Sequence, residues 1–120
     1  MKRALIVDDN PFHVSLMHEI LTALNFKVAI RDDPDGVVEQ VIAEPPDLLV
    51  MDVRLPGISG LRLVRRIKDT EGLGALPVLV VTALPFKEDD SDIRDSGADA
   101  FLEKPFDPAA FIMKVRELVA

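Results

Sequence analysis

Carboxylates, a threonine and a lysine recur at one kind of place in this sequence, directly after or at the end of short runs of Val, Ile and Leu. Asp8 and Asp9 follow Leu5-Ile6-Val7, Asp52 follows Leu48 to Met51, Thr82 follows Val78 to Val81, and Lys104 comes just after Ala100 to Leu102. If those runs are strands of one sheet, three carboxylates and one ammonium converge at its rim. Bare carboxylates crowded together repel one another and hold their protons to higher pH unless a cation neutralises them. Mg²⁺ takes oxygen ligands in octahedral geometry, keeps several of its waters, and is commonly held by one or two carboxylates together with a phosphate. The set suits Mg²⁺ better than Zn²⁺, which favours His or Cys. The chain has no Cys, and its two histidines, His13 and His18, read as helix-surface residues rather than ligands.

The elements that must position these groups are legible in the hydrophobic pattern. Ala4 to Val7, Val28 to Ile30, Leu48 to Met51, Val78 to Val81 and Ala100 to Leu102 read as strands. Several are apolar without alternation, as expected when helices cover both faces of a parallel strand. Amphipathic stretches lie between them. The first has Asn10 as N-cap, Pro11 at the first helical position, and Val14, Met17, Leu21 and Leu24 on one face before Asn25. The second is predicted from Pro34 to Ala43, ahead of Pro45-Pro46, and the third from near Ser59 to about Gly72. The fourth, Lys87 to Ser96, is strongly acidic with Ile93 almost alone as an anchor and Gly97 as C-cap; the fifth opens on Asp107-Pro108 and aligns Phe111, Ile112, Val115, Leu118 and Val119. Five alternations of strand and helix predict an α/β fold with a doubly wound, five-stranded parallel sheet and five helices. Ligand sites in such sheets lie beyond the carboxyl ends of the strands, where the strand order reverses.

At 120 residues the chain is sized for one domain, 1–120, and hydrophobic and charged fractions of 48% and 29% are those of a globular protein. A net charge of −7 argues against direct nucleic-acid binding, which rests on neutralising phosphates with Lys and Arg. No apolar run has membrane-spanning length, and the acidic turn at Asp8 comes too early for a secretory signal, so a cytoplasmic location is expected.

The runs Leu5-Ile6-Val7-Asp8-Asp9-Asn10, Met51-Asp52-Val53-Arg54-Leu55-Pro56-Gly57-Ile58-Ser59-Gly60, Val81-Thr82-Ala83 and Lys104-Pro105-Phe106 resemble the receiver domain of two-component response regulators. The resemblance covers the whole chain, with four motifs in order and spacing. It implies a flavodoxin-like sheet of strand order 2-1-3-4-5 and a phosphorelay role, with Asp52 as phosphoryl acceptor. It further implies Mg²⁺ held by Asp9, Asp52 and the backbone carbonyl of Arg54, with Asp8 acting largely through water. Thr82, Lys104 and the backbone N–H of Ala83 would meet the phosphoryl oxygens. The donor would be a histidine kinase or a histidine phosphotransfer protein, the output a downstream protein target, and the chain a stand-alone receiver, either a monomer or a phosphorylation-dependent dimer. It would be a signalling switch that assists its own phosphorylation and dephosphorylation, not an enzyme acting on a separate substrate. In the family the Lys-Pro bond is usually cis.

Elementary chemistry agrees with those roles. A carboxylate can act as nucleophile and form an aspartyl phosphate, and phosphoryl transfer is catalysed mainly by positioning and charge stabilisation. The resemblance also implies a switch in which Thr82 moves toward the phosphoryl group and Phe101 turns inward behind it. Phe offers no hydroxyl, so readout would depend on packing. Arg54 and Leu84, each two residues after a site residue, are bulky or apolar where small polar or acidic side chains favour fast hydrolysis, and slow spontaneous dephosphorylation is expected.

Plainer roles exist for each residue: Asp52 as a loop cap, Thr82 as a strand end, Lys104 as a surface lysine, Phe101 as a core aromatic and Pro56-Gly57 as a simple turn. Among whole-chain alternatives, a degenerate receiver would bind proteins without phosphorylation. A haloacid-dehalogenase-like phosphatase wants a second Asp two residues after the nucleophile, where Arg54 stands. A flavodoxin wants a Ser/Thr-rich phosphate loop after the first strand and aromatic stacking groups, and the chain has neither Trp nor Tyr.

Overall fold

Each apolar run forms a strand, and a helix follows each of these five runs, the third after a short hairpin. The computed structural model describes residues 1–83 and 90–119, with backbone only at 90 and 91. In order they form β1 (Lys2–Val7), α1 (Pro11–Ala23), β2 (Phe26–Arg31), α2 (Val37–Ala43), β3 (Leu48–Asp52), β4 (Arg54–Leu55), β5 (Ile58–Ser59), α3 (Gly60–Lys68), β6 (Val78–Ala83), α4 (Asp90–Ser96), β7 (Ala100–Lys104) and α5 (Pro108–Leu118). The five long strands make one parallel sheet in the order β2-β1-β3-β6-β7. This is the expected doubly wound sheet, order 2-1-3-4-5 when only its own strands are counted.

The strand period of two sorts side chains into two cores. Leu5, Val7, Leu49, Met51, Val78 and Val80 face α2, α3 and α4, where Val41, Val64, Ile67 and Ile93 cover them. Ala4, Ile6, Leu48, Val50, Leu79 and Val81 face α1 and α5 and meet Met17, Leu21, Phe111 and Val115. β3, the middle strand, is buried at all five residues, which is why it reads as an unbroken apolar run.

Helix starts follow cap chemistry. The Asn10 side chain accepts hydrogen bonds from the N–H groups of Phe12 and His13, and Asp107 and Ser59 cap α5 and α3 in the same way. The second helix begins three residues later than its pattern suggests. The Asp33 carboxylate accepts the Asp35 N–H at 2.9 Å, the Arg31 guanidinium donates to the Asp35 carbonyl, and Gly36 sits at φ +80°, so positions 33–36 form a turn. The third ends at Lys68, short of Gly72. The predicted opening of the fourth helix, from Lys87, lies outside the described residues; Gly97 at φ +89° follows its end as expected. Unforeseen was a small hairpin, in which β4 and β5 pair around Pro56-Gly57 with Gly57 at φ +77°. That is a type II turn, which places Pro second and Gly third.

Candidate phosphoryl-acceptor site

The chain passes from β1 outward to β2, then crosses to β3 on the other side, and the crevice above β1 and β3 is where this kind of sheet binds ligands. Asp8 stands just past β1, its N–H donating to the Arg31 carbonyl at 3.1 Å. Its carboxylate is buried, with Oδ1 accepting the Asn10 N–H at 2.9 Å and Oδ2 accepting Lys104 Nζ at 2.6 Å. Asp52 is the last residue of β3, also buried; its Oδ1 accepts the Arg54 N–H at 3.2 Å, and Oδ2 lies 3.7 Å from Lys104 Nζ. Asp9 is exposed, yet Asp8, Asp9 and Asp52 each offer an oxygen within 4.8 Å of the others.

Strand parity decides which residues share this corner. Asp8, Asp52 and Lys104 continue the alternation of Ala4-Ile6, Leu48-Val50 and Ala100-Leu102, so all three sit on the α1/α5 side. Lys104 ends β7, two strands from β3. At about 4.8 Å per strand its ammonium must cross roughly 10 Å. The residue opposite it on β6 is Ala83, whose small side chain leaves that path open. The bond from Lys104 to Pro105 is cis.

Thr82 falls on the opposite parity. It continues Val78-Val80 toward the α3/α4 side, is fully buried, and among the described residues its hydroxyl makes a 3.5 Å contact with the Ala83 carbonyl. Phe101 pairs with Val80, packs half-buried against the same core and therefore shares Thr82's side of the sheet. The structure thus gathers Asp8, Asp9, Asp52 and Lys104, and sets Thr82 and Phe101 together one strand away. Leu84 lies outside the described residues.

Burial, and then the Asp8 carboxylate, push Asp52 up from 3.8 to about 6, against the opposing pull of Lys104 and the Arg54 N–H. Lys104 by itself does not balance three carboxylates. An all-oxygen donor set with one open, exposed member fits a hydrated hard dication. The sequence predicts a helix-surface role for His13, but its Nδ1 is buried and has no hydrogen-bond partner among the described residues. Burial, then the Lys104 charge, hold its pKa below the ordinary value, while Asp8 acts in the other direction.

One residue escaped sequence reasoning. Gly60 opens α3, and its N–H donates to the Val53 carbonyl at 2.7 Å. A Cβ there would lie 1.9 Å from the Asp52 carbonyl oxygen. The available signal was a Gly straight after a good N-cap, Ser59, where Gly is a poor helix former.

Residues 4–116 match the response regulator receiver domain family, and the chain belongs to it. Members of this family are signalling switches. The polar-differentiation response regulator DivK of Brucella ovis is 31% identical over 115 residues, 96% of this chain and 94% of its own length. A putative response regulator from Chloroflexus aurantiacus superposes with TM-score 0.91 at 28% identity, covering 98% of this chain and 97% of that one. The receiver domain of a Pseudomonas aeruginosa sensor histidine kinase, solved with magnesium coordinated in its active-site cleft, has TM-score 0.87 at 25% identity, with 98% and 97% covered.

Proposed function

We propose that residues 1–120 form one receiver domain that acts in the cytoplasm and accepts a phosphoryl group on Asp52 from a phosphohistidine of a histidine kinase or phosphotransfer protein. The observation that carries this reading is Lys104 Nζ, buried within 2.6 Å of Asp8 and 3.7 Å of Asp52 beside a three-carboxylate cluster. Incubation with a small phosphodonor and Mg²⁺, followed by intact-mass measurement, tests it: one phosphate per chain is expected. A chain that takes up none would favour the phosphorylation-independent binding module instead.

Asp9, Asp52 and the Arg54 carbonyl would hold Mg²⁺, with Asp8 acting through water. Bound there, the ion supplies positive charge to the acceptor and to the incoming phosphoryl oxygens. The Asp52 oxygen forms the new bond to phosphorus as the bond to the donor imidazole nitrogen breaks. Lys104, already tethered by Asp8, is positioned to turn its ammonium to a phosphoryl oxygen, and the Thr82 hydroxyl and Ala83 N–H supply donors from β6. A hydroxyl this weakly bonded in the resting protein loses little by moving, and Phe101, on the same side of the sheet, can repack behind it. A downstream protein would read the face that this repacking alters, with this chain acting as a monomer or as a phosphorylation-dependent dimer. Among the described residues no helix is long and apolar enough to cross a membrane.

Two further results are expected. Mg²⁺ at about ten times its dissociation constant stabilises the fold by about 1.4 kcal/mol, or roughly 5 °C in thermal midpoint. Because the metal-free fold holds the Asp52 proton up to about pH 6, its ionisation costs the fold nothing well below pH 4 and its full penalty above pH 6. The magnesium shift is therefore large at pH 7.5 and small at pH 5; equal shifts at both would contradict the carboxylate assignment. The second result concerns the aspartyl phosphate, which decays over minutes or longer, with Arg54→Asn shortening that time several-fold. A half-life of seconds in the parent would remove the shielding role of Arg54.

A further inference from the structure

The charge of this chain is unevenly placed. Residues 53–68 carry five basic side chains and no acidic one, so the remainder, in a chain of net −7, holds −12. Within α3, Leu61, Leu63, Val64 and Ile67 are buried, and the three exposed positions, 62, 65 and 66, are all arginine. Spacings of three and four residues put them on one face, where like charges repel. Arg62 also stands in the first turn, which has no acidic residue and where the helix dipole disfavours a cation. Arg65 is answered by Asp69 at 3.1 Å and by the Asp95 carbonyl, whereas Arg62 and Arg66 have no ion pair among the described residues. Among the described residues, close ion pairing on this face is thus confined to Arg65.

A groove lies on each side of this ridge. One of about 410 Å³ separates α3 from α4 and has Arg62 and Arg65 along its α3 wall, with Asp92 and Asp95 opposite. The other, of about 420 Å³, runs between α2 and the β4-β5 hairpin and is lined by Arg66 together with Asp35 and Glu39.

We infer that the exposed arginine face of α3 docks a short carboxylate-rich segment of a partner protein. Guanidinium forks pair carboxylates with two parallel hydrogen bonds, and arginine rather than lysine fills all three exposed positions. The occupant must be short. A nine-residue helix is about 13 Å long. An extended polyanion such as DNA, or a charged membrane sheet, would run off it onto the acidic remainder, which repels at distances beyond a Debye length of about 8 Å only weakly but at contact strongly. This face is separate from Asp52 chemistry and requires no phosphorylation.

The test uses the unphosphorylated full-length chain and a fluorescein-labelled polyglutamate peptide, read by fluorescence anisotropy at low and physiological salt. The double variant Arg62→Glu/Arg66→Glu is expected to lose affinity by about tenfold or more, while Lys2→Glu/Lys27→Glu, with the same change in charge, keeps it. The α3 variant should fold with an unchanged or higher thermal midpoint, because Glu in the first turn suits the dipole and ends the repulsion. Equal losses in the two double variants would reduce the effect to net charge and overturn the inference. So would absence of peptide binding at low salt, a lowered midpoint in the α3 variant, or tighter binding to a DNA duplex or to phosphatidylserine vesicles than to the peptide. Self-association in sedimentation that the α3 variant abolishes would make a second copy the occupant, and overturns it too.

Discussion

Asp52→Asn takes up no phosphate from a small phosphodonor under conditions that phosphorylate the parent chain fully. The substitution keeps the shape of the side chain and its place at the end of β3, so the loss is chemical: an amide is not a nucleophile that can form the acyl phosphate. The same variant carries a second expectation of opposite sign. In the metal-free parent at neutral pH the ionised Asp52 is buried beside Asp8, the two influences that push it up to about 6. Removing that charge relieves both, so metal-free Asp52→Asn melts higher than the parent, and it responds less to Mg²⁺. Intact-mass spectra and melting curves with and without Mg²⁺ measure all of this. A phosphate that persists in Asp52→Asn would move the acceptor elsewhere, and a variant that melts lower in the absence of metal would contradict the electrostatic account of the site.

Gly60→Ala should be among the most damaging single-methyl additions available in this chain. The new Cβ would sit 1.9 Å from the Asp52 carbonyl oxygen and 2.9 Å from both the Asp52 carbonyl carbon and Met51 Cγ. Two of those three atoms are backbone of a fully buried central strand, so rotamer changes offer no relief. Either α3 or the end of β3 must shift. A destabilisation of roughly 3 kcal/mol is expected, about 10 °C in thermal midpoint. The displaced strand end also carries the acceptor carboxylate, so phosphorylation slows even in the fraction that remains folded. Gly74→Ala is the control: the nearest atom to its Cβ is the Lys68 carbonyl at 3.8 Å, ordinary contact, and a change within about 0.5 kcal/mol is expected. Denaturant unfolding of the two variants separates them. Equal stabilities would mean that the close approach of Gly60 to β3 is not a real constraint.

Much of this molecule was written in local chemistry. Asn10-Pro11, Ser59 and Asp107-Pro108 announce three helix starts because a side-chain oxygen satisfies free N–H groups a few residues ahead, a rule confined to one turn of chain. The runs from Leu48 and from Val78 announce buried strands by composition alone. The hairpin at Pro56-Gly57 was readable only as a turn, since two-residue strands are too short to show a period. The start of α2 was missed because Val37, Val38 and Val41 are apolar at helical spacing whichever turn precedes them. What delays the helix is the Arg31 and Asp33 bonding to Asp35 together with the left-handed Gly36.

The sequence by itself determined that three carboxylates, a threonine and a lysine close their strands, and that strand and helix alternate, because hydrophobic period and cap residues act over a few positions. Only the tertiary structure decided which of those groups meet. Strand order and parity bring Lys104 across β6 to Asp8 and Asp52, turn Thr82 and Phe101 to the other side of the sheet, and press Gly60 onto the backbone of the acceptor. Those are contacts between residues as far apart as 8 and 104, and their geometry depends on how strands pair and how closely helices pack, which no local stretch of chain encodes.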